Sequence, residues 1–182
     1  LRLLIDAQNA AGQFTYLASV VDGTGFLAEV DRLITDLKRN YIWPEQYARR
    51  SRDQRHVELA QLYASYQQTL HDSGLYDAQG CFWAAGDALR ADPELGRGIG
   101  MLVVDRFTDF TQAQWRILEL LVPRAEEVVV TLPLDAELVD PRTSTGRVEL
   151  FAKTRETLAL LRDRFPVEIK LNAADGPAAG KT

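Results

Sequence analysis

Between Phe26 and Arg39 the apolar residues Leu27, Val30, Leu33, Ile34 and Leu37 recur three and four positions apart with charges between them, which predicts an amphipathic helix. Tyr41-Ile42-Trp43-Pro44 is expected to end it, because proline disfavours a helical residue before it. A second helix is predicted from about Gln54 to His71, with Leu59, Leu62, Tyr63, Tyr66 and Leu70 on one face and Gly74 as its stop. A third covers roughly Gln79 to Arg90, with Phe82, Trp83, Ala85 and Leu89 turned inward, and Asp92-Pro93 opens a turn after it.

The period changes after Gly98-Ile99-Gly100. Met101-Leu102-Val103-Val104 is a continuous apolar run that stops at Asp105, the pattern of a strand buried on both faces. Thr111 is placed to cap a helix from Gln112 to about Val122, with Trp115, Leu118, Leu121 and Val122 facing inward. A second apolar run, Val128 to Leu132, leads to a polar loop around Asp140-Pro141-Arg142-Thr143. A helix is then predicted from about Arg147 to Arg164, burying Leu150, Phe151, Thr154, Leu158 and Leu161, and Val167 to Leu171 alternates like a strand. Strand, helix, strand, helix, strand is the grammar of an α/β layer, and right-handed crossovers make its three strands parallel neighbours. The expected organisation is an α-helical lobe over residues 1–97 and an α/β lobe over 98–182, with a small polar tail from Ala173 to Ala179 that frays. There is no internal repeat.

Composition narrows the function. With 46% hydrophobic and 26% charged residues the 182-residue chain has an ordinary globular balance. Lys and Arg number 21 against 26 Asp and Glu, and the net charge of −5 excludes a generally basic DNA-coating protein without excluding a local basic patch. Cys81, the one cysteine, excludes an intramolecular disulfide and reads as a small buried hydrophobe. His56 and His71 leave too few ligands for a zinc site and read as surface or helix-end histidines. No apolar run approaches the roughly 18 residues of a membrane span. The opening Leu1 to Ile5 turns polar at Asp6, too early for a signal peptide, so a soluble cytoplasmic domain is expected. One region departs from the acidic average: Lys38, Arg39, Arg49, Arg50, Arg52 and Arg55 face only Glu45 and Asp53, a local balance of +4. Two readings stand for it, a phosphate-binding patch for DNA or a solvated helix–loop junction. Tyr41, Trp43 and Tyr47 beside it are likewise either base-stacking platforms or core.

The stretch from Leu102 to Gln114, LVVDRFTDFTQAQ, carries the most chemistry. An apolar strand ending in aspartate has the form of a Walker B element, whose carboxylate holds Mg²⁺ at the strand's C-terminal edge, and it is also a common turn-forming arrangement. The block resembles motif II of the UvrD/Rep-like superfamily 1 helicases, apolar strand then DEFQDTNxxQ, with Asp105, Phe107, Asp109 and Gln114 on matching positions. Upstream, Phe26 to Tyr47 resembles the helix and PEEY turn that open the family's inserted 1B subdomain. Leu62 to Gln67 followed by Gly74-Leu75-Tyr76-Asp77 resembles its IYxxYq…lDFdDLl segment, although Ala78 stands where phenylalanine follows the aspartate. Downstream, the helix to Arg164 and the strand ending Leu171-Asn172 resemble the approach to LxxNYRS.

The departures are specific. Arg106 replaces the glutamate implied as general base, and a guanidinium cannot accept a proton at neutral pH. Motif III, GDxxQ, is replaced by Thr131 to Asp135, and the arginine of NYRS has no counterpart in Asn172 to Asp175. Gly176 to Thr182 imitates a P-loop but lacks the glycine needed at Asp175 and a following helix. A helicase fold with a broken motif II is similar to the AddB/RexB-type subunit of bacterial helicase–nuclease complexes. That resemblance implies an incomplete RecA-like parallel-sheet lobe of the P-loop NTPase type with a degenerate Walker B, beside a 1B-like helical lobe. It implies an excised piece of a DNA-repair and recombination protein, with no catalytic residue of its own and no power to hydrolyse ATP. Asp105, Arg106, Asp109 and Gln114 are then vestigial, Asp105 being a vestigial metal ligand. Cofactors are expected to be none in this piece and ATP with Mg²⁺ in the parent. The implied partners are DNA and an active helicase–nuclease subunit, with no membrane. The rivals are part of an active superfamily 1 ATPase, which Arg106 speaks against, and a purely structural or protein-interaction domain.

Overall fold

Three helices in the first half of the chain end in the same way. In the computed structural model, which describes residues 1–140, 142 and 149–171, α1 spans Arg2–Ala10, α2 Phe26–Arg39 and α4 Gln54–Asp72. Beyond each end, paired backbone hydrogen bonds reverse the chain: Gly12 to Asn9 and Gln13 to Gln8, Tyr41 to Lys38 and Ile42 to Leu37, Gly74 to His71 and Leu75 to Leu70. The residue at the reversal is left-handed, with φ of 69° at Gly12, 58° at Tyr41 and 62° at Gly74. Glycine adopts this without strain; Tyr41 does so against its own Cβ. It is this reversal, completed before the proline, that ends α2. Pro44 instead opens a further helix, α3 (Pro44–Arg50), at the first helical position, where its missing N–H is not needed.

Packing divides the chain into two units, Leu1–Gly100 with Thr111–Glu127, and Met101–Phe110 with Val128–Thr182. In the first, α1 and α3 pack on α4, while α2 packs on α5 (Ala78–Ala91) and on α6 (Gln112–Leu121), which also pack on each other. Val30, Ile34 and Leu37 of α2 meet Leu59, Leu62 and Tyr63 of α4, closed by Ile5, Phe14, Leu17 and Val21. On α5, Trp83 and Leu89 are buried as the period predicts, but Ala85 and Cys81 are exposed and Gly86 takes the inward place. Side-chain bulk explains the exchange, since a Cβ on Gly86 would stand 3.6 Å from Ile117 Cδ1 of α6. Thr111 caps α6 as expected, and Ala113, Trp115 and Leu118 are its buried residues.

The strands β1 (Ile99–Val104) and β2 (Ala125–Val130) form a two-stranded parallel sheet in a mixed α/β, mostly helical chain. Two expectations fail. Val167 to Leu171 forms no strand, and its Val167, Ile169 and Leu171 are exposed. Alternation describes a surface suited to half-burial, but only a pairing partner makes a strand, and Pro166 removes a donor at its entrance. Nor is β1 buried on both faces: Val104 is buried, while Met101 and Val103 are each 55% exposed. In the second unit α7 (Ala152–Arg164) buries Thr154, Thr157, Leu158 and Leu161. It begins later than predicted, with Leu150 exposed in the preceding turn; Arg147 and Val148 lie outside the described residues, as do Pro141, Thr143 and the tail from Asn172. Among the described residues no helix is long and apolar enough to cross a membrane.

One buried carboxylate fixes the segment between α1 and α2. Glu58 of α4 is 1% exposed and accepts from Thr15 N at 3.0 Å, Thr15 Oγ1 at 2.7 Å, and Tyr16 N, Leu17 N and Gln54 Nε2 at 2.9 Å each. Burial disfavours its charge, but these donors outweigh that cost and bring its pKa from 4.5 down to about 2. Because the folded pKa lies below the unfolded one, the stabilisation is complete above about pH 4.5 and is lost as pH falls toward 2. Glu58→Gln should therefore cost about 2–4 kcal/mol at neutral pH, since an amide cannot accept from all these donors. In urea denaturation across pH, the gap between wild type and variant should close between pH 4.5 and 2.

Candidate nucleic-acid interface

The corner where α3 meets α4 gathers the arginines. Asp53 caps α4 by accepting from His56 N at 2.9 Å, and both its carboxylate oxygens stand 2.8 Å from His56 Nδ1. With α3 packed on α4, Arg49 and Arg50 at the end of one helix and Arg52 and Arg55 at the start of the other lie around one turn, all exposed. Among the described residues, the arginines with no ion pair, hydrogen bond or ring contact are Arg39, Arg49, Arg50, Arg52 and Arg55. By contrast, Arg2, Arg32, Arg90 and Arg97 pair with Asp6, Glu29, Asp87 and Glu94. The charge of Arg55 acts on both Asp53 and Tyr47, so these three groups share the corner.

Lys38 does not belong to this surface, which corrects the expectation from sequence. It is wholly buried, with Nζ 2.8 Å from Asp77 Oδ2 and 3.0 Å from Gln67 Oε1, and it lies 5.3 Å from the centroid of the Trp83 ring. Burial works against the Asp77 charge, yet bonds from Lys38, Gly80 N and Tyr66 hold its carboxyl below the ordinary value. A signal for this exists in the sequence: Val30, Ile34 and Lys38 form one stripe four residues apart. The aromatics divide. Trp83 is buried 5.0 Å from Tyr41 and 4.2 Å from Trp43, and Arg116 lies 4.1 Å over the Tyr41 ring, so Tyr41 and Trp43 are packed groups. Tyr47 meets His56 edge to face at 6.4 Å.

The residues matched to motif II have structural partners. Thr131 Oγ1 donates to the Asp105 carboxylate and accepts from Arg106 N at 3.1 Å. Arg106 is left-handed at φ 61°, and its Nε lies 3.6 Å from Asp105 Oδ2. Asp109 pairs with Lys153 at 3.5 Å, Thr108 O accepts from Thr157 at 2.9 Å, and Phe107 stacks on Phe110 at 5.0 Å. In the other unit Gln114 accepts from Thr111 N at 2.8 Å and donates its own N–H to Thr111 Oγ1, a reciprocal cap of α6. These residues do not fit Mg²⁺: the one carboxylate at the strand end already holds a hydroxyl and a permanent cation. Among the described residues no three His, Cys, Asp or Glu side chains come together as a metal site. The P-loop-like Gly176 to Thr182 lies outside the described residues.

The family described as "ADDB, N-terminal" matches residues 1–168, and the chain belongs to that family. It is 27% identical over 177 residues to an ATP-dependent helicase/deoxyribonuclease subunit from Bacillus subtilis (strain 168), covering 90% of this chain and 15% of that protein. To the protein of the same name from Thermoanaerobacter sp. (strain X514) it is 26% identical over 140 residues, covering 73% of this chain and 12% of the relative. The chain thus spans a small part of the curated relatives' length.

A left-handed, non-glycine residue costs roughly 1–2 kcal/mol, most for β-branched side chains. Arg106→Gly should therefore raise stability by up to about 1 kcal/mol and Arg106→Val lower it by a similar amount. Thermal denaturation of both variants reads the difference, and equal melting would contradict the left-handed backbone.

Proposed function

We propose that the chain is a non-catalytic, DNA-contacting part of a helicase–nuclease subunit acting in double-strand-break repair and homologous recombination in the cytoplasm. It supplies a 1B-like helical lobe over residues 1–97 and a partial RecA-like lobe over 98–182, and its parent works beside an active helicase–nuclease partner with ATP and Mg²⁺. The family membership and the names of the relatives support the parent's role. The observation that carries the DNA contact is the set of exposed, unpartnered arginines, Arg39, Arg49, Arg50, Arg52 and Arg55. Arginines paired to carboxylates have part of their charge offset; of these five, Arg55 acts on Asp53, and the other four side chains hold no carboxylate among the described residues. The engaged Asp105, with Arg106 where the resemblance implies a base, supports inactivity at the motif II position. On this reading the chain alone gives no ATP turnover in a steady-state assay, and Arg106→Glu does not produce any.

Phosphate binding through this corner is driven mostly by release of condensed counterions, so affinity must fall steeply with salt. About four neutralised phosphates give a slope of log K against log salt near −3 on single strands, at roughly 0.7 per contact. The overall charge of −5 opposes binding at long range, but at physiological salt that repulsion is screened beyond about 8 Å. Replacing Arg49, Arg50, Arg52 and Arg55 together with Gln should flatten the slope and weaken all sequences alike, because phosphate contacts carry no base information. Fluorescence anisotropy at two salt concentrations tests it. Unchanged affinity in the quadruple variant, or no binding by the parent chain at low salt, returns the corner to an ordinary solvated surface.

A further inference from the structure

The arginine corner contains one group that the DNA reading leaves without a task. His56 sits one residue after Arg55, its side chain 41% exposed, with its ring held against Asp53. Nδ1 stands 2.8 Å from both carboxylate oxygens, and Nε2 has no partner among the described residues. A carboxylate accepts only, so the proton of the neutral ring stays on Nδ1 and Nε2 carries a lone pair. That lone pair repels a phosphate oxygen. Taking up a proton from solvent turns Nε2 into a donor of a charge-assisted hydrogen bond and cancels the charge of Asp53 next to it.

We propose that His56 is a proton-dependent phosphate ligand of the arginine corner, set by Asp53 so that it binds the DNA backbone only as the imidazolium. The proposal rests on the DNA reading of that corner and specifies how pH controls it. The groups that share its surroundings favour this role. On α3 they are Glu45, Tyr47, Arg49 and Arg50, and the Tyr47 ring meets the imidazole edge to face. In the turn they are Arg52 and Asp53, and on α4 Arg55. Glu58, also on α4, is consumed by Thr15, Tyr16, Leu17 and Gln54, and on α1 Arg2 and Asp6 pair with each other. With the neutral ring, the exposed Arg49, Arg50, Arg52 and Arg55 stand with the carboxylates Glu45 and Asp53, and Arg55 also lines a cleft with Glu29, Arg32 and Asp36 of α2; protonation adds one positive charge to this turn. His71, the other histidine, is exposed near the far end of α4 beside Asp72, outside the corner.

The test is anisotropy of this chain on a single-stranded thymidine oligonucleotide of about 20 residues, carrying a dye that does not titrate, from pH 8 to 5.5 at fixed low salt. Thymine does not titrate in this range, so a pH dependence belongs to the protein. Wild-type affinity should rise as pH falls from 8, by at most about tenfold per pH unit, and level off once the ring is already protonated in the unbound chain. His56→Gln should bind as wild type does at pH 8 and stay nearly flat, with an unchanged melting temperature. Calorimetry of wild type in two buffers of different ionisation enthalpy should register proton uptake on binding wherever the affinity changes with pH, without needing any variant. Flat wild-type binding, or the same slope in His56→Gln, overturns the role of His56 while leaving the arginine contact standing. No binding at any pH overturns the DNA reading itself, and this inference with it.

Discussion

A lysine with no exposed surface governs how the helices of the first unit are arranged. Removing an ammonium from water is costly, and the cost is tolerable only when a counter-charge and further acceptors are already in place. Lys38 on α2 finds them on α4 and α5, in Gln67, Asp77 and the faces of Tyr66 and Trp83. Asp77 serves twice, since its other oxygen caps α5 through Gly80 N at 2.6 Å. Gly80 is required by the closeness of this arrangement: a Cβ there would stand 3.0 Å from Asp77 Oδ1 and 3.3 Å from Lys38 Nζ. Trp83 Nε1 then donates to the Lys38 carbonyl at 3.1 Å, so the last turn of α2 is held through side chain and backbone together. From that fixed turn the chain reverses at Tyr41, enters α3 through Pro44 and delivers the arginines to the α3–α4 corner.

Glu58 solves the opposite problem by different means. Among the described residues it pairs with no cation, and it keeps its charge through neutral donors, three of them backbone N–H groups from Thr15, Tyr16 and Leu17. Lys38 therefore ties side chains of separate helices, whereas Glu58 ties backbone without regular pairing to α4. Both specify geometry in a way apolar contacts cannot, because a buried polar group tolerates few alternative partners. The motif II residues show a related economy. Gln114 closes the N-terminus of α6, Thr131 links Asp105 to the backbone after it, and Asp109 pairs with Lys153. Such positions keep a reason to persist in a chain whose strand-end carboxylate does not fit a metal.

Much of the helical part is legible in the sequence because its determinants are local. The apolar spacing of α2, α4, α5 and α6, the Thr111 cap and the Gly74 stop act within one or two turns, and the helix bounds follow them closely. What sequence alone misplaces depends on contacts between distant segments. Pro44 reads as a break from its own sequence, whereas its place as the first residue of α3 depends on the reversal at Tyr41. Val167 to Leu171 has the alternation of a strand but no partner in the sheet. The exposed arginines can be read off directly, since a short helix and a turn dense in arginine have nowhere to bury them. Lys38 cannot, because its partners are Gln67, Asp77 and Trp83, far along the chain. His56 escapes notice for the same reason at shorter range: its capping partner Asp53 reads as charge alone.

Cys81, the chain's one cysteine, lies exposed in the first turn of α5, two residues before the buried Trp83. Without reductant, air oxidation has only one thiol per chain to act on, so the covalent product is a symmetric pair of chains joined sulfur to sulfur, never a larger ladder. The same geometry gives a single handle for thiol-directed labels, attached on the outer side of a helix whose inner side grips Lys38.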